Sequence, residues 1–213
     1  MNSTSGFIYS IFEWITRFAY VNLLWIVFTL AGGVVFGIFP ATISMFAVIR
    51  KWLKGNTDLP VFHSFWSFYK NDFVKSNLLG LFIIGLAVLI GIDFWFMQVN
   101  VSDLLRLTYL PLYVFMLLFL LFLFYIFPAF VHYEEKIGKL IKNAFLLMLI
   151  NPIHSFMIII CLVSSYFILE AIPALAFIFG ASIYAFITMW ICLNAFTKVE
   201  KRMERTNRKG TNG

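Results

Sequence analysis

Acid–base and metal chemistry need histidine, cysteine or carboxylate side chains at short, repeated spacings. This chain has few of them: His63, His132, His154, Cys161, Cys192 and ten Asp and Glu in 213 residues. Three scattered histidines give no metal-ligand spacing. Both cysteines lie inside apolar runs, where a free thiol behaves as a small hydrophobe, so no disulfide is expected. No Walker-type glycine loop, Gly-x-Ser-x-Gly elbow or His-Glu-x-x-His pair occurs, and no carboxylate dyad marks a pocket. The sequence therefore predicts no enzyme and no cofactor. The most polar interruption of an apolar run is Asn151-Pro152-Ile153-His154. Pro152 leaves a carbonyl of the preceding turn without its donor, which a neighbouring side chain or water must satisfy. Asn151 and His154 are thus candidates for a local structural role or for a ligand site. Asp93 and Glu170 fall at run ends, where water or headgroups solvate them. No charged side chain lies near the middle of a run, where an ion-coupled transporter usually keeps one.

The frame that must hold these groups is a membrane bundle. The chain is 62% hydrophobic and 20% aromatic but only 12% charged, against roughly 25% charged in soluble domains. Crossing about 30 Å of hydrocarbon takes roughly 20 apolar helical residues. Such segments occur at 20–39, 78–97, 109–131, 145–169 and 174–196. The expected fold is all-α: a polytopic bundle of five transmembrane helices with short interfacial amphipathic helices. A single integral membrane domain covers 1–197, and a basic cytoplasmic tail covers 198–213. The N-terminal Met-Asn-Ser-Thr-Ser lacks the positive region and cleavage site of a secretory leader, so it is expected to remain on the mature protein.

The net charge of +6 comes from basic residues flanking the apolar runs, which points to the lipid bilayer as partner and away from nucleic acid. Counted loop by loop, Arg17 and Arg106 fall on one face and the other fourteen Lys and Arg on the opposite, C-terminal face. The positive-inside rule makes that face cytoplasmic and, with five spans, puts the N-terminus outside.

Before the first span, Phe7, Ile8, Ile11, Phe12, Ile15 and Phe18 recur at helical spacing, with Glu13 and Arg17 paired at i, i+4 and Ser5 as N-cap. This stripe either lies along the outer surface or extends the first span. In the longest connection Phe62, Phe65, Tyr69 and Phe73, with Trp66 alongside, form an aromatic stripe on a short helix. It reads as an interfacial anchor or as a docking surface for a partner. Gly33-x-x-x-Gly37 allows close approach of another helix. Asn22 and Trp25, one turn apart, are placed for a polar contact to another helix, Trp25 also as an interface anchor. A weak internal repeat pairs Phe39-Pro40-Ala41 and Lys51-Trp52-Leu53-Lys54 with Phe127-Pro128-Ala129 and Lys139-Leu140-Ile141-Lys142, a pattern suited to two parallel helical pairs and a lone fifth helix.

Asn22-Leu23-Leu24-Trp25, Gly37-Ile38-Phe39-Pro40-Ala41-Thr42 and Arg50-Lys51-Trp52-Leu53 together resemble the YesL family, small polytopic membrane proteins of Gram-positive bacteria that carry a domain of unknown function. The likeness is closest over the first hundred residues. It implies an association with carbohydrate use, since family members are often encoded beside oligosaccharide ABC importers and enzymes that degrade plant cell-wall polysaccharides. It carries no catalytic residue. Its matching positions, Asn22, Trp25, Gly37, Pro40, Arg50 and Lys51, join Phe62, Phe65, Tyr69, Asn151 and His154 as candidate structural or interaction sites. The leading expectation is a non-catalytic accessory protein in the cell membrane, contacting permease subunits of a carbohydrate ABC importer. A stand-alone transporter or channel and a sensor or scaffold are the alternatives. A permease subunit itself is disfavoured, because the loop at Glu134, Glu135 and Gly138 does not reproduce the Glu-Ala-Ala loop that engages an ATPase. Self-association is left open.

Overall fold

A computed structural model describes the backbone of residues 3–99 and 103–210 and the side chains of 8–98 and 109–201. Within these residues the regular structure is all α-helical: α1 (Ser3–Ala31), α2 (Ile38–Leu53), α3 (Val61–Asn71), α4 (Phe73–Val99), α5 (Asp103–His132), α6 (Ile137–Ile150), α7 (Pro152–Ala171) and α8 (Pro173–Gly210). Five segments are long and apolar enough to cross a membrane: Ile8–Ala31, Phe73–Gln98, Tyr109–His132, Pro152–Ala171 and Pro173–Lys201. The second, third and fifth fall where the apolar runs predict them. The side chains of Phe7 and Arg106 and of the tail beyond Lys201 lie outside the described residues.

The first span is displaced from its expected position. The amphipathic stripe is continuous with it in α1, and Ser5 lies inside the helix rather than capping it. At the other end the helix stops at Ala31 because Gly33 and Val34 adopt left-handed φ of 70° and 64°. The Val34 amide donates to the Thr29 carbonyl at 2.9 Å, closing the last turn as an αL terminus does. Glycine adopts this conformation freely; β-branched valine does not. An apolar run carries no signal of such a break, so a hydropathy reading runs straight through it to Phe39.

After the break α2 doubles back along α1. Trp25 bonds Thr42 near the turn, while the Trp14 and Phe18 rings meet Trp52 at 5.9 and 6.2 Å at the far end. Arg17 pairs with Glu13 one turn back in α1 at 2.5 Å, and the hairpin brings it to 3.9 Å from Asp58, in the loop that follows α2. Arg17 therefore sits at the same end as Lys51 and Lys54. This corrects its expected placement on the opposite face. α2 thus returns the chain to the end of α1 that holds Trp14 and Arg17.

Ten of the sixteen residues of α2 are buried, and a helix that is apolar all round belongs inside a bundle. α2 packs against α1, α3, α4, α5 and α8 and joins the two cores. One core gathers Val21, Leu24 and Phe28 of α1 with Met45, Phe46 and Ile49 of α2 and Met189 of α8. The other joins Ile43 to Leu79 of α4, Tyr125 and Ile126 of α5, Leu140 of α6 and Cys192 of α8.

The expected fourth span is likewise shifted. Residues 145–150 belong to α6, and a new helix starts at Pro152, since proline cannot donate within the preceding helix but suits a first turn. The proposed repeat also meets different surroundings in its two copies. Lys51 and Lys54 close α2 whereas Lys139 and Lys142 open α6, and Pro40 lies in a first helical turn whereas Pro128 lies near the end of α5.

Candidate functional site

The polar and small residues singled out on α1 and α2 meet other helices through specific contacts. Asn22 is 2% exposed; its Nδ2 donates to the Phe177 carbonyl at 2.9 Å, and its Oδ1 accepts from the Ser182 amide at 3.2 Å. One side chain thus satisfies two backbone groups of α8, as a polar group in an apolar interior must. One turn on, Trp25 Nε1 donates to Thr42 Oγ1 at 3.0 Å, and Thr42 donates to the Ile38 carbonyl at 2.7 Å. These two adjacent contacts fasten α1 to α8 and to α2, and the expected polar contact between helices is present.

The close glycine approach involves a different pair from the expected one. A Cβ on Gly37 would overlap the Thr29 carbonyl oxygen, and one on Gly32 would overlap Gly37 Cα and stand 2.6 Å from Tyr69 Oη. Gly33 has open space around it. Gly32 and Gly37 therefore let the α1–α2 turn fold on itself; they do not receive a separate span. Pro40 is buried in the first turn of α2, where its missing N–H removes no helical bond, and its carbonyl accepts from Ser44 Oγ at 2.8 Å.

The aromatic stripe of α3 splits in two. Phe28 of α1 lies 5.2 Å from Phe65 and 5.0 Å from Tyr69, and Tyr69 Oη donates to the Phe28 carbonyl at 3.1 Å. Phe65 and Tyr69, 0% and 7% exposed, belong to the core, and burial pushes the Tyr69 phenol above its ordinary pKa. They cannot serve as a docking surface. Phe62 and Trp66 remain exposed beside them.

Four segments distant in sequence meet at the end of the bundle holding Arg50 and Lys51. Arg50, half-buried with its Nε unpaired, is flanked by Glu134 and Glu200; burial lowers its pKa, and the two carboxylates oppose that shift. His132 Nε2 lies 3.1 Å from Glu200, and its Nδ1 is buried without a partner. Burial, then Glu200 and Glu135, pushes the Tyr133 phenol up to about 12. Burial also raises the Asp72 carboxyl, partly offset by Lys75. Lys51 Nζ lies 4.8 Å over Phe68 and Lys75 Nζ 4.8 Å over Phe130, each a cation–π contact. Glu135 accepts from Lys139 at 2.8 Å and from Asn143 at 2.6 Å. Sequence reasoning found Arg50 and Lys51 but missed His132, Glu134 and Glu200, which carry no local motif and meet only through the fold. Mixed charge at this junction ties the end of α2 to α5 and α8. Among the described residues no group of three or more His, Cys, Asp or Glu is placed to hold a metal.

Asn151 closes the α6–α7 break. Its Nδ2 donates to the Leu147 carbonyl at 2.9 Å, while its own carbonyl accepts from the amides of His154 and Ser155. Tyr125 Oη lies 3.0 Å from Ser155 Oγ and 3.4 Å from the Asn151 oxygen. His154 contributes its backbone here, and its ring is not brought to the Tyr125 cluster. A cleft of about 490 Å³ between α4 and α5 is lined wholly by apolar residues, among them Ile90, Phe94, Met116 and Leu120.

Spans of membrane length, a buried return helix and apolar outer faces make this an integral membrane protein of the polytopic helical class. The chain belongs to the family described as Protein of unknown function, DUF624, which matches residues 18–94. Three uncharacterized proteins of Bacillus subtilis are similar over most of their length. YteU is 38% identical over 92% of this chain and 88% of its own. YesL is 34% identical over 90% of each, and YesV 32% identical over 88% of this chain and 90% of its own. No solved structure matches. The matched segment holds α2, Gly32 and Gly37 of the turn, the Trp25–Thr42 contact and Asn22, whose partners Phe177 and Ser182 lie beyond it.

Proposed function

We propose that this protein is a non-catalytic, multi-pass accessory component of the cell membrane that assists carbohydrate uptake by an ABC importer through lateral contact with its permease subunits. The carbohydrate link is what the YesL resemblance implies. The observation that carries the accessory role is the position of α2, whose buried side chains fill the centre of the bundle, where a stand-alone transporter would need a polar path. The apolar flank of α7, a helix in which only Ser155 and Ile158 are buried, and the exposed Phe62 and Trp66 offer surfaces for a neighbouring helix. By the positive-inside rule the end carrying Arg17, Arg50, Lys51 and Lys54 lies in the cytosol, with both termini on that side.

Crosslinking and copurification from native membranes, paired with sugar uptake in a deletion strain, test the reading. It expects a permease subunit in the complex and reduced uptake without this protein. Unchanged uptake with no permease recovered overturns it. Substrate flux in liposomes containing this chain alone establishes a transporter instead.

A further inference from the structure

A second cleft, of about 280 Å³, lies where α4, α5 and α6 meet. Phe82 and Leu86 form one wall, the α5 residues from Phe115 to Phe122 another, and Ile141 and Phe145 a third. The α5 wall extends about 10 Å along the axis of a membrane-spanning helix, the direction in which lipid chains lie. Phe82, Phe115 and Phe145 are exposed, leaving the cleft open sideways. Its lining contains no carboxylate and one cation, Lys142, which is exposed. The remaining wall residue, Gly138, has nothing within 4 Å of where a Cβ would stand, so its missing side chain keeps this part of the cleft clear.

We propose that this cleft is a lipid site: one acyl chain of an anionic phospholipid lies along Phe115 to Phe122, and its phosphate sits against Lys142. Apolar walls bury hydrocarbon without leaving a polar group unpaired. The one ammonium of the lining, exposed Lys142, complements an anionic headgroup, in the manner of basic pockets between membrane helices. This site is independent of the importer reading.

The test uses full-length protein in nanodiscs of equal parts phosphatidylglycerol and phosphatidylcholine, released into a native mass spectrometer. One bound phosphatidylglycerol is expected, retained about tenfold over phosphatidylcholine. Lys142→Gln should keep a bound lipid but lose the preference. Gly138→Phe should fill the cleft without a backbone clash and lose the lipid, while melting like the parent. Equal retention of the two lipids by the parent, or undiminished retention by Gly138→Phe, overturns the proposal, as does a dimer that Gly138→Phe abolishes. Should Gly138→Phe fail to fold, Lys142→Gln decides: an unchanged preference for phosphatidylglycerol overturns it.

Discussion

The bundle breaks its long helices at two places by opposite means. At 32–37 the α1–α2 turn folds tightly because side chains are missing: Gly32 and Gly37 bring backbone against backbone, and a Cβ on either would strike it. At Asn151–Pro152 the break depends on side chains being present: the Asn151 amide takes the Leu147 carbonyl, while Tyr125 and Ser155 gather at the Asn151 oxygen. An apolar interior supplies no water to freed backbone groups, so each break needs an internal solution. The first reverses the chain and buries the next helix. The second redirects it and leaves α7 facing outward.

Substitutions should separate the two mechanisms by size of effect. Gly37→Ala drives a methyl into the Thr29 carbonyl and is expected to cost about 3 kcal/mol or more, with loss of the folded protein in detergent. Gly33→Ala, strained but unobstructed, should cost only about 1–2 kcal/mol. Comparable losses from the two, measured by thermal unfolding in one detergent, would deny that close approach governs the turn. At the second break, Asn151→Ala removes the side-chain bond to the Leu147 carbonyl, which keeps the backbone N–H of residue 151 at 3.2 Å, and should cost about 1–1.5 kcal/mol. Tyr125→Phe should cost less, about 1 kcal/mol. If Asn151→Ala melted like the parent, proline alone would make that break. Val34→Gly relieves a left-handed valine and should raise stability by about 1 kcal/mol.

The smallest effect concerns pH. Burial raises the folded-state pKa of Asp72, so its ionised form costs the fold stability above that pKa, and the cost fades as the pH falls below it. Asp72→Asn should therefore match or slightly exceed the parent at neutral pH, within about 0.5 kcal/mol. Its stability should change less between pH 7 and pH 4. A variant clearly weaker at pH 7 would assign Asp72 a favourable ion pair with Lys75.

Much of the membrane architecture was legible in the sequence, because α4, α5 and α8 are long apolar runs whose length alone identifies them. The α1–α2 hairpin was not. Residues 20–39 are apolar on both sides of the Gly33–Val34 reversal, and hydropathy cannot distinguish a helix that continues from one that turns around. The same limit hid α2, whose apolar surface reads as lipid-facing although protein covers it. Asn22, Trp25 and Asn151 could be flagged because a polar group among apolar neighbours needs a partner; the partners, Phe177, Ser182 and Thr42, could not be named. The aromatic stripe of α3 was visible, but only the fold divides it into buried Phe65 and Tyr69 and exposed Phe62 and Trp66.

The burial of α2 bears on how the polypeptide can be made. Its cover includes Tyr184, Ala185 and Met189, residues synthesised more than a hundred positions later. Until the last helix leaves the ribosome, one side of α2 has no protein neighbour and must be sheltered by lipid or by the insertion machinery. A polypeptide ending before Pro173 would keep four of the five long helices yet lack the lid of its own interior, so quality control should degrade it as an orphan.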